Sequence, residues 1–579
     1  MKIKRRRIIF LFPISFLFIA ASWPLGEKRG ITSTFGEWRD GHLHAGIDLP
    51  TMGIGEEVYS VSNGWIMRVR TSSWGYGKSI YIKDSLGNIN VYAHLSSFSK
   101  KVEKIIRREQ LKRLSYMVNL WLGKGEIPVK EGEVIGYTGR SGCLYPHLHF
   151  EMRNPESRVV DPLVRGFSFP DTFSPDIRAI RFVPLDDSST VFGSHLGVEV
   201  PVIKETLFVN VKGRVGIEIE TYDKVNGHSG LLGPKEIDLY RDRELIRREY
   251  IDSFLYSDFK DSRFLFDYSY GVRTGRRFRR LFTVPGNDFP FYEGREGILT
   301  SSDTGVVSII VGDAALNKAV LNISLVDSVD KTIDFGRADF NNRGIITTPF
   351  GFLVNIKDSR RWIGSNSLGK ISKSGDSMLV FNLGKKVFSS FQSSDSRCTI
   401  YPTDNTILNT SIISVRVRKG KLTKWFWEPF IPLNNQVEME ITTPEESPFY
   451  SIYEQKEKKW EYYPTEKRGE KLVTSIDHLG IFALLKDTVS PIISLKRSYF
   501  SEKEPLQIYV QDSISGIDFY WIITLIDHKP TVFRYDPQKN RLIYEYPEEI
   551  IKGRHTLYVY LRDRQGNEAS GEWEILKKE

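Results

Sequence analysis

The sequence predicts a mainly β protein: a small antiparallel β-sheet domain carrying one inserted helix, followed by several β-sandwich units of immunoglobulin-like character. Three observations predict it. Between residues 31 and 164, short apolar runs alternate with polar residues and are separated by glycine-rich turns. Beyond Asp161 and Pro162 the chain is dominated by Val, Ile, Tyr, Phe and Thr with almost no helical periodicity. A turn pattern also recurs, with residues 312–319 and 562–569 each leading into a final apolar run.

The elements follow in chain order. Basic residues Lys2 to Arg7 precede an apolar run over 8–21 and then Ser22, Trp23 and Pro24, the order of a secretory signal. Pro13 interrupts the run, which falls short of the roughly 20 residues a membrane-spanning helix needs. Residues 1–22 are therefore read as a signal peptide or, if uncleaved, an anchor that would put the chain on a membrane. Strands are expected over 58–61, 64–69, 79–82, 89–92, 134–137 and 148–152. Between them, Val102, Ile105, Ile106, Leu114, Met117, Val118 and Trp121 recur at helical spacing, which predicts an amphipathic helix over about 100–122.

A chain of 579 residues is long enough for several cores. The expected units are 23–168, 169–330, 331–487 and 488–579, the last beginning at the polar junction around Asp487 and Pro491. The two cysteines, Cys143 and Cys398, fall in different units, so an exported chain would have no disulfide framework. A formal charge of +9 suits contact with polyanionic material such as a cell wall. No basic tract lies beside aromatic platforms, which argues against nucleic acid as a partner.

Chemistry concentrates near the start of the chain. Five of the ten histidines, His42, His44, His94, His147 and His149, lie between positions 42 and 149. His44 and Asp48 stand four residues apart with Gly46 between them, and on an extended backbone an even separation points both to one face. The same rule puts His147 and His149 on one face while Leu148 and Phe150 point into the core. Such N and O donors suit zinc, and three protein ligands plus one water is the pattern of a catalytic site.

In order, His44-x-x-x-Asp48, Tyr92-Ala-His94-Leu95, the 132–136 run Gly-Glu-Val-Ile-Gly and the 146–151 run Pro-His-Leu-His-Phe-Glu resemble the lysostaphin/LytM-type zinc metallopeptidases. The resemblance covers roughly residues 30–164. It implies a compact antiparallel sheet with a groove, and hydrolysis of peptide cross-links in peptidoglycan. By matching positions it implies His44, Asp48 and His149 as ligands of one Zn2+, with His94 and His147 serving the water and the oxyanion. His147 is favoured as the base.

The remaining readings are narrower. His42 is expected to line the groove or face solvent. Glu151 is expected to be a strand-end surface carboxylate, with contact to a ligand imidazole as the alternative. Where the family has small residues before Pro-His, this chain has Cys143, Leu144 and Tyr145. Tyr145 is expected to reshape the groove wall, and Cys143 to be a small loop residue rather than an inhibitory thiolate. The 100–122 helix either limits access to the groove, docks a regulator, or packs outside the sheet. The overall expectation is an enzyme exported to the periplasm or cell envelope, with its β units free to meet an envelope protein. A non-catalytic peptidoglycan-binding or amidase-activating protein is the alternative.

Overall fold

The computed structural model describes residues 22–27, 30–39 and 42–186, and with short gaps 188–326 and 345–579. Residues 1–21, which hold the expected signal or anchor, lie outside the described residues. No described helix is long and apolar enough to cross a membrane.

The architecture is mainly β, built from many small and largely antiparallel sheets. The sheet that carries the histidines runs in the order Pro128–Val129, Gly64–Thr71, Lys78–Lys83, Ile89–Leu95, Leu148–Arg153, Val159–Val160 and Ser253–Phe254. Ile47–Leu49 joins it by pairing with Leu148–Arg153. Leu148 and Phe150 are both fully buried, as the alternation requires. Burial of each such side chain contributes about 1.5–3 kcal/mol, which pins the register that sends the intervening His149 to the opposite face.

The core beneath this sheet crosses the expected boundary at residue 168. Val225, Ile251, Phe254 and Leu265 pack into the same cluster as Ile47, Tyr92 and Phe150. The Ser253–Phe254 strand extends the sheet itself by pairing with Val159–Val160. Further cores lie between the sheets of residues 177–325, of residues 391–484 and of residues 500–575. Each draws on more than one sheet, the packing that a β-sandwich produces.

The expected helix is shorter than its periodicity suggested. It spans Lys100–Arg113 and ends at Leu114, which adopts the left-handed conformation at φ 46°. Val118–Trp121 is a strand pairing with Gly64–Thr71. Val118 and Trp121 fit a three-residue helical spacing, but branched and aromatic side chains suit a strand, and the sheet edge supplies the hydrogen bonds that decide between the two. The helix docks on the C-terminal unit of the same chain. Arg107 Nε donates to Glu549 (2.8 Å), and Tyr546 Oη donates to Glu103 (2.8 Å).

Candidate metal centre

Cross-strand register places the first pair of groups. His149 stands opposite Asp48 on one neighbouring strand and Ala93 on the other. His44 precedes the Ile47–Leu49 strand, and the turn between them needs Gly46, because a Cβ there would sit 2.2 Å from the Phe150 carbonyl oxygen. The extended segment is thus interrupted, yet His44 and Asp48 still converge.

The three side chains meet in a closed set. His44 Nε2 lies 3.1 Å from Asp48 Oδ1 and 2.9 Å from His149 Nδ1, and His149 Nδ1 lies 3.0 Å from Asp48 Oδ1. All three residues are buried. His44 Nδ1 donates to the Thr34 carbonyl (2.8 Å), so its Nε2 carries the free lone pair.

His94 and His147 face the same space, with ring centroids 4.6 Å apart. His94 Nδ1 donates to the Ser141 carbonyl (2.9 Å) and His147 Nδ1 to the Tyr145 carbonyl (3.0 Å), which leaves each Nε2 available. His147 Nε2 is buried without a hydrogen-bond partner and lies 3.6 Å from Asp48 Oδ1. His94 holds φ 62°, a left-handed conformation for a residue with a side chain, and such strain persists where surrounding contacts enforce it. Here the backbone N–H of His94 donates to the Tyr76 carbonyl (3.0 Å) and its ring to Ser141.

The described site contains two groups the sequence did not reveal, Arg39 and Tyr76, and settles the alternatives for Glu151. Arg39 Nη2 donates to Asp48 Oδ2 (2.6 Å), fixing the carboxylate so that Oδ1 faces the imidazoles. The Tyr76 ring stacks on His149 at 5.0 Å. Glu151 is fully buried, not a surface carboxylate, and its Oε2 stands 3.7 Å from His149 Nε2. It accepts from Tyr76 Oη (2.6 Å), from Tyr256 Oη (2.9 Å) and from Arg153. Burial is what the surface reading missed, since it arises from Tyr256 and its neighbours, over 100 residues away in sequence.

Arg39, Tyr76 and the rings of His44, His94, His147 and His149 line a cavity of about 420 Å³ whose wall also includes His42, Arg70, Gly142, Cys143 and, from the following unit, Tyr256 and Phe259. His42 lines this cavity and packs against the Phe259 ring at 5.6 Å. Tyr145 is 73% exposed and is not part of the wall; what it contributes is its carbonyl, which orients His147. No residue of the Lys100–Arg113 helix lines the cavity.

Comparison with known proteins finds likeness in the N-terminal part of the chain. Residues 42–112 match the model of Peptidase family M23. The N-terminal part of the chain carries an M23 domain. Among relatives, the DD-carboxypeptidase/endopeptidase Mpg of Neisseria meningitidis serogroup B is 32% identical over 117 residues, 20% of this chain and 20% of that protein. The cell division protein DipM of Caulobacter vibrioides is 29% identical over 147 residues, 24% and 20% of the two chains. The match thus spans about a fifth of the length of these curated relatives. Among solved structures, a zinc containing peptidase from Vibrio cholerae is 28% identical, covers 26% of this chain and 40% of its own, and has a TM-score of 0.19.

The electrostatics of the M23 domain suit a metal site. Burial lowers the pKa of His44 to about 4, against the opposing pull of Asp48, so this ring is neutral and can ligate. Burial, then the rings of His147 and His149, lower His94 to about 3. Burial acts to raise the Asp48 carboxyl, but His44 and His149 outweigh it and hold it well below the usual carboxylate range. His149 is raised, because Asp48 and Glu151 outweigh its burial. A second cluster, His94, Cys143 and His147, also brings three donors together. Burial pushes the Cys143 thiol up to about 12, and Sγ donates to the Tyr145 carbonyl (3.2 Å).

Proposed function

We propose that this chain is an exported zinc-dependent endopeptidase that cleaves peptide cross-links of bacterial peptidoglycan. The observation that carries the proposal is the closed set of His44 Nε2, Asp48 Oδ1 and His149 Nδ1, with two further imidazoles facing the same cavity. The three atoms lie 2.9–3.1 Å apart. That spacing approaches the roughly 3.3 Å edge of a tetrahedral shell with zinc bonds of about 2.0–2.1 Å. Two imidazoles and one carboxylate would leave a fourth position open, as catalytic rather than structural zinc requires.

Zinc, when bound, supplies a water of lowered pKa and a Lewis acid for the scissile carbonyl. The chain's own groups do the rest. His147 Nε2, without a hydrogen-bond partner, accepts the proton that the attacking water loses. His94, its Nδ1–H held by the Ser141 carbonyl, turns the lone pair of Nε2 to the same space and accepts a hydrogen bond that orients the attacking water. Arg39 fixes Asp48, and Glu151 holds the far side of the His149 ring. Arg70, Tyr76 and Tyr256 give the cavity positive charge and aromatic surface, which suits a peptide bearing free carboxylates. Export is supported by the basic and then apolar order of residues 2–21.

The test is digestion of cross-linked muropeptides by the zinc-loaded full chain, read by mass. Cleavage is expected, and His147→Ala should lower its rate by about 10²–10⁴ with zinc content unchanged. A chain that holds zinc and leaves every cross-link intact would favour the binding or activating role instead.

A further inference from the structure

Outside the M23 domain the chain builds one acidic constellation twice. Asp171, Asp223 and Asp313 form the first and Asp487, Asp512 and Asp563 the second, each with one carboxylate oxygen per residue inside a 4.8 Å span. Two of the three aspartates are wired alike in both. Asp171 accepts from the amides of Phe173 and Asn226, and Asp487 from those of Val489 and Ser515. Asp313 accepts from the amides of Ala315 and Asn317 and from Asn317 Nδ2; Asp563 accepts from those of Gln565 and Asn567 and from Asn567 Nδ2. The third aspartate of each set occupies the turn before the last strand of its unit, the recurrent turn visible in the sequence. That last strand pairs in parallel with an early strand in both units, Lys318–Leu325 with Thr206–Val209 and Glu568–Lys577 with Tyr499–Phe500.

Three acids this close need a counter-charge, and none of the six makes an ion pair with a described residue. Burial, then Asp313, raises Asp223 to about 7, and burial raises both Asp313 and Asp563. A separate side chain points to what is missing. Tyr453, from the preceding unit, is fully buried, and its hydroxyl has no hydrogen-bond partner although Asp487, Asp512 and Asp563 all act on it electrostatically. A buried tyrosine hydroxyl ordinarily bonds an acceptor within reach. One that faces three carboxylates and bonds none leaves room for an intervening ligand shell. Asp512 Oδ1 is likewise without a partner while its Oδ2 serves the amides of Ile514 and Gly516, and in the first cluster so is Oδ1 of Asp223, which is 2% exposed.

We propose that Asp487, Asp512 and Asp563 bind a calcium-type divalent cation where the C-terminal unit meets Tyr453 of the unit before it, and that Asp171, Asp223 and Asp313 form a second site of the same design. The donors are all oxygen, which selects a hard cation over zinc, and water fills the positions the protein leaves open. Tyr453 Oη donates to such a water. The cation ties the Asp487 junction, and with it the orientation of a unit whose Asp536 accepts from Arg140 (2.6 Å) beside the cavity wall.

The test is calcium titration of the zinc-loaded full chain by calorimetry, with zinc held saturating so that the M23 site stays filled. Extracellular calcium modules bind at about 10⁻⁴–10⁻³ M, so the titration runs to several millimolar. About two calcium ions per chain are expected, falling to about one in Asp512→Asn and about one in Asp223→Asn. Asn keeps an acceptor for the loop amides, and unchanged circular dichroism verifies the fold of each variant. Terbium in place of calcium should show tyrosine-sensitised emission that drops in Tyr453→Phe. No calcium binding, or binding unaltered by both aspartate variants, would overturn the proposal and leave acid clusters that share protons.

Discussion

Glu151→Gln separates two roles that one buried carboxylate plays. Its Oε2 stands 3.7 Å from Nε2 of His149, and it also accepts from Tyr76, Tyr256 and Arg153. Gln keeps the shape but loses the charge that biases the ring. Loss of a partner behind a metal-bound imidazole lowers metal affinity by about 10–100-fold, or about 1.4–2.7 kcal/mol. Breaking a buried ion pair costs about 3–5 kcal/mol. The low end applies here, because Arg153 also lies over the rings of Tyr81 and Tyr256, at 5.5 and 4.9 Å, and keeps those contacts. Zinc affinity by chelator competition, measured beside thermal melting, reads the two effects apart. If melting falls while zinc affinity stays within about twofold of the parent chain, Glu151 acts only through Arg153 and the tyrosines, and its role behind His149 is refuted.

Three further outcomes follow from the same geometry. His94→Gln should retain zinc and lower muropeptide turnover by about 10²–10³, measured by the mass assay. Leu114→Gly should stabilise the M23 domain by roughly 0.5–1 kcal/mol in denaturant melts, because Leu114 is exposed and holds a left-handed backbone that glycine adopts freely. Burial acts to lower His478, but its bonds to Asp477 and Glu454 outweigh this and raise its pKa to about 9. A raised histidine contributes stability that is fully present below its unfolded pKa of about 6.5 and is lost as pH rises through about 9, at most about 3 kcal/mol. Melting between pH 6 and pH 10 should therefore fall more steeply in the parent chain than in His478→Gln.

What the sequence made legible was local. The even spacing of His147 and His149 reads as strand alternation, and burial of Leu148 and Phe150 fixes which face the imidazoles take, whereas His44 and Asp48 converge across an interruption at Gly46. The strands were readable for the same reason. What it hid depends on distant register. Glu151 looks like a strand-end surface residue until Tyr256 covers it, and Arg39 and Tyr76 carry no motif. The helix end was misplaced because Val118 and Trp121 fit two periodicities, and only the Gly64–Thr71 edge resolves them. Tyr145 matters through a carbonyl, which no side-chain pattern can announce.

X-ray absorption at the zinc edge tests the metal site most directly. With His44, Asp48 and His149 as ligands, the first shell should contain only nitrogen and oxygen at about 2.0–2.2 Å. A sulfur at about 2.3 Å would place the metal on Cys143 with His94 and His147. That result would contradict the assignment of the site and of both catalytic histidines.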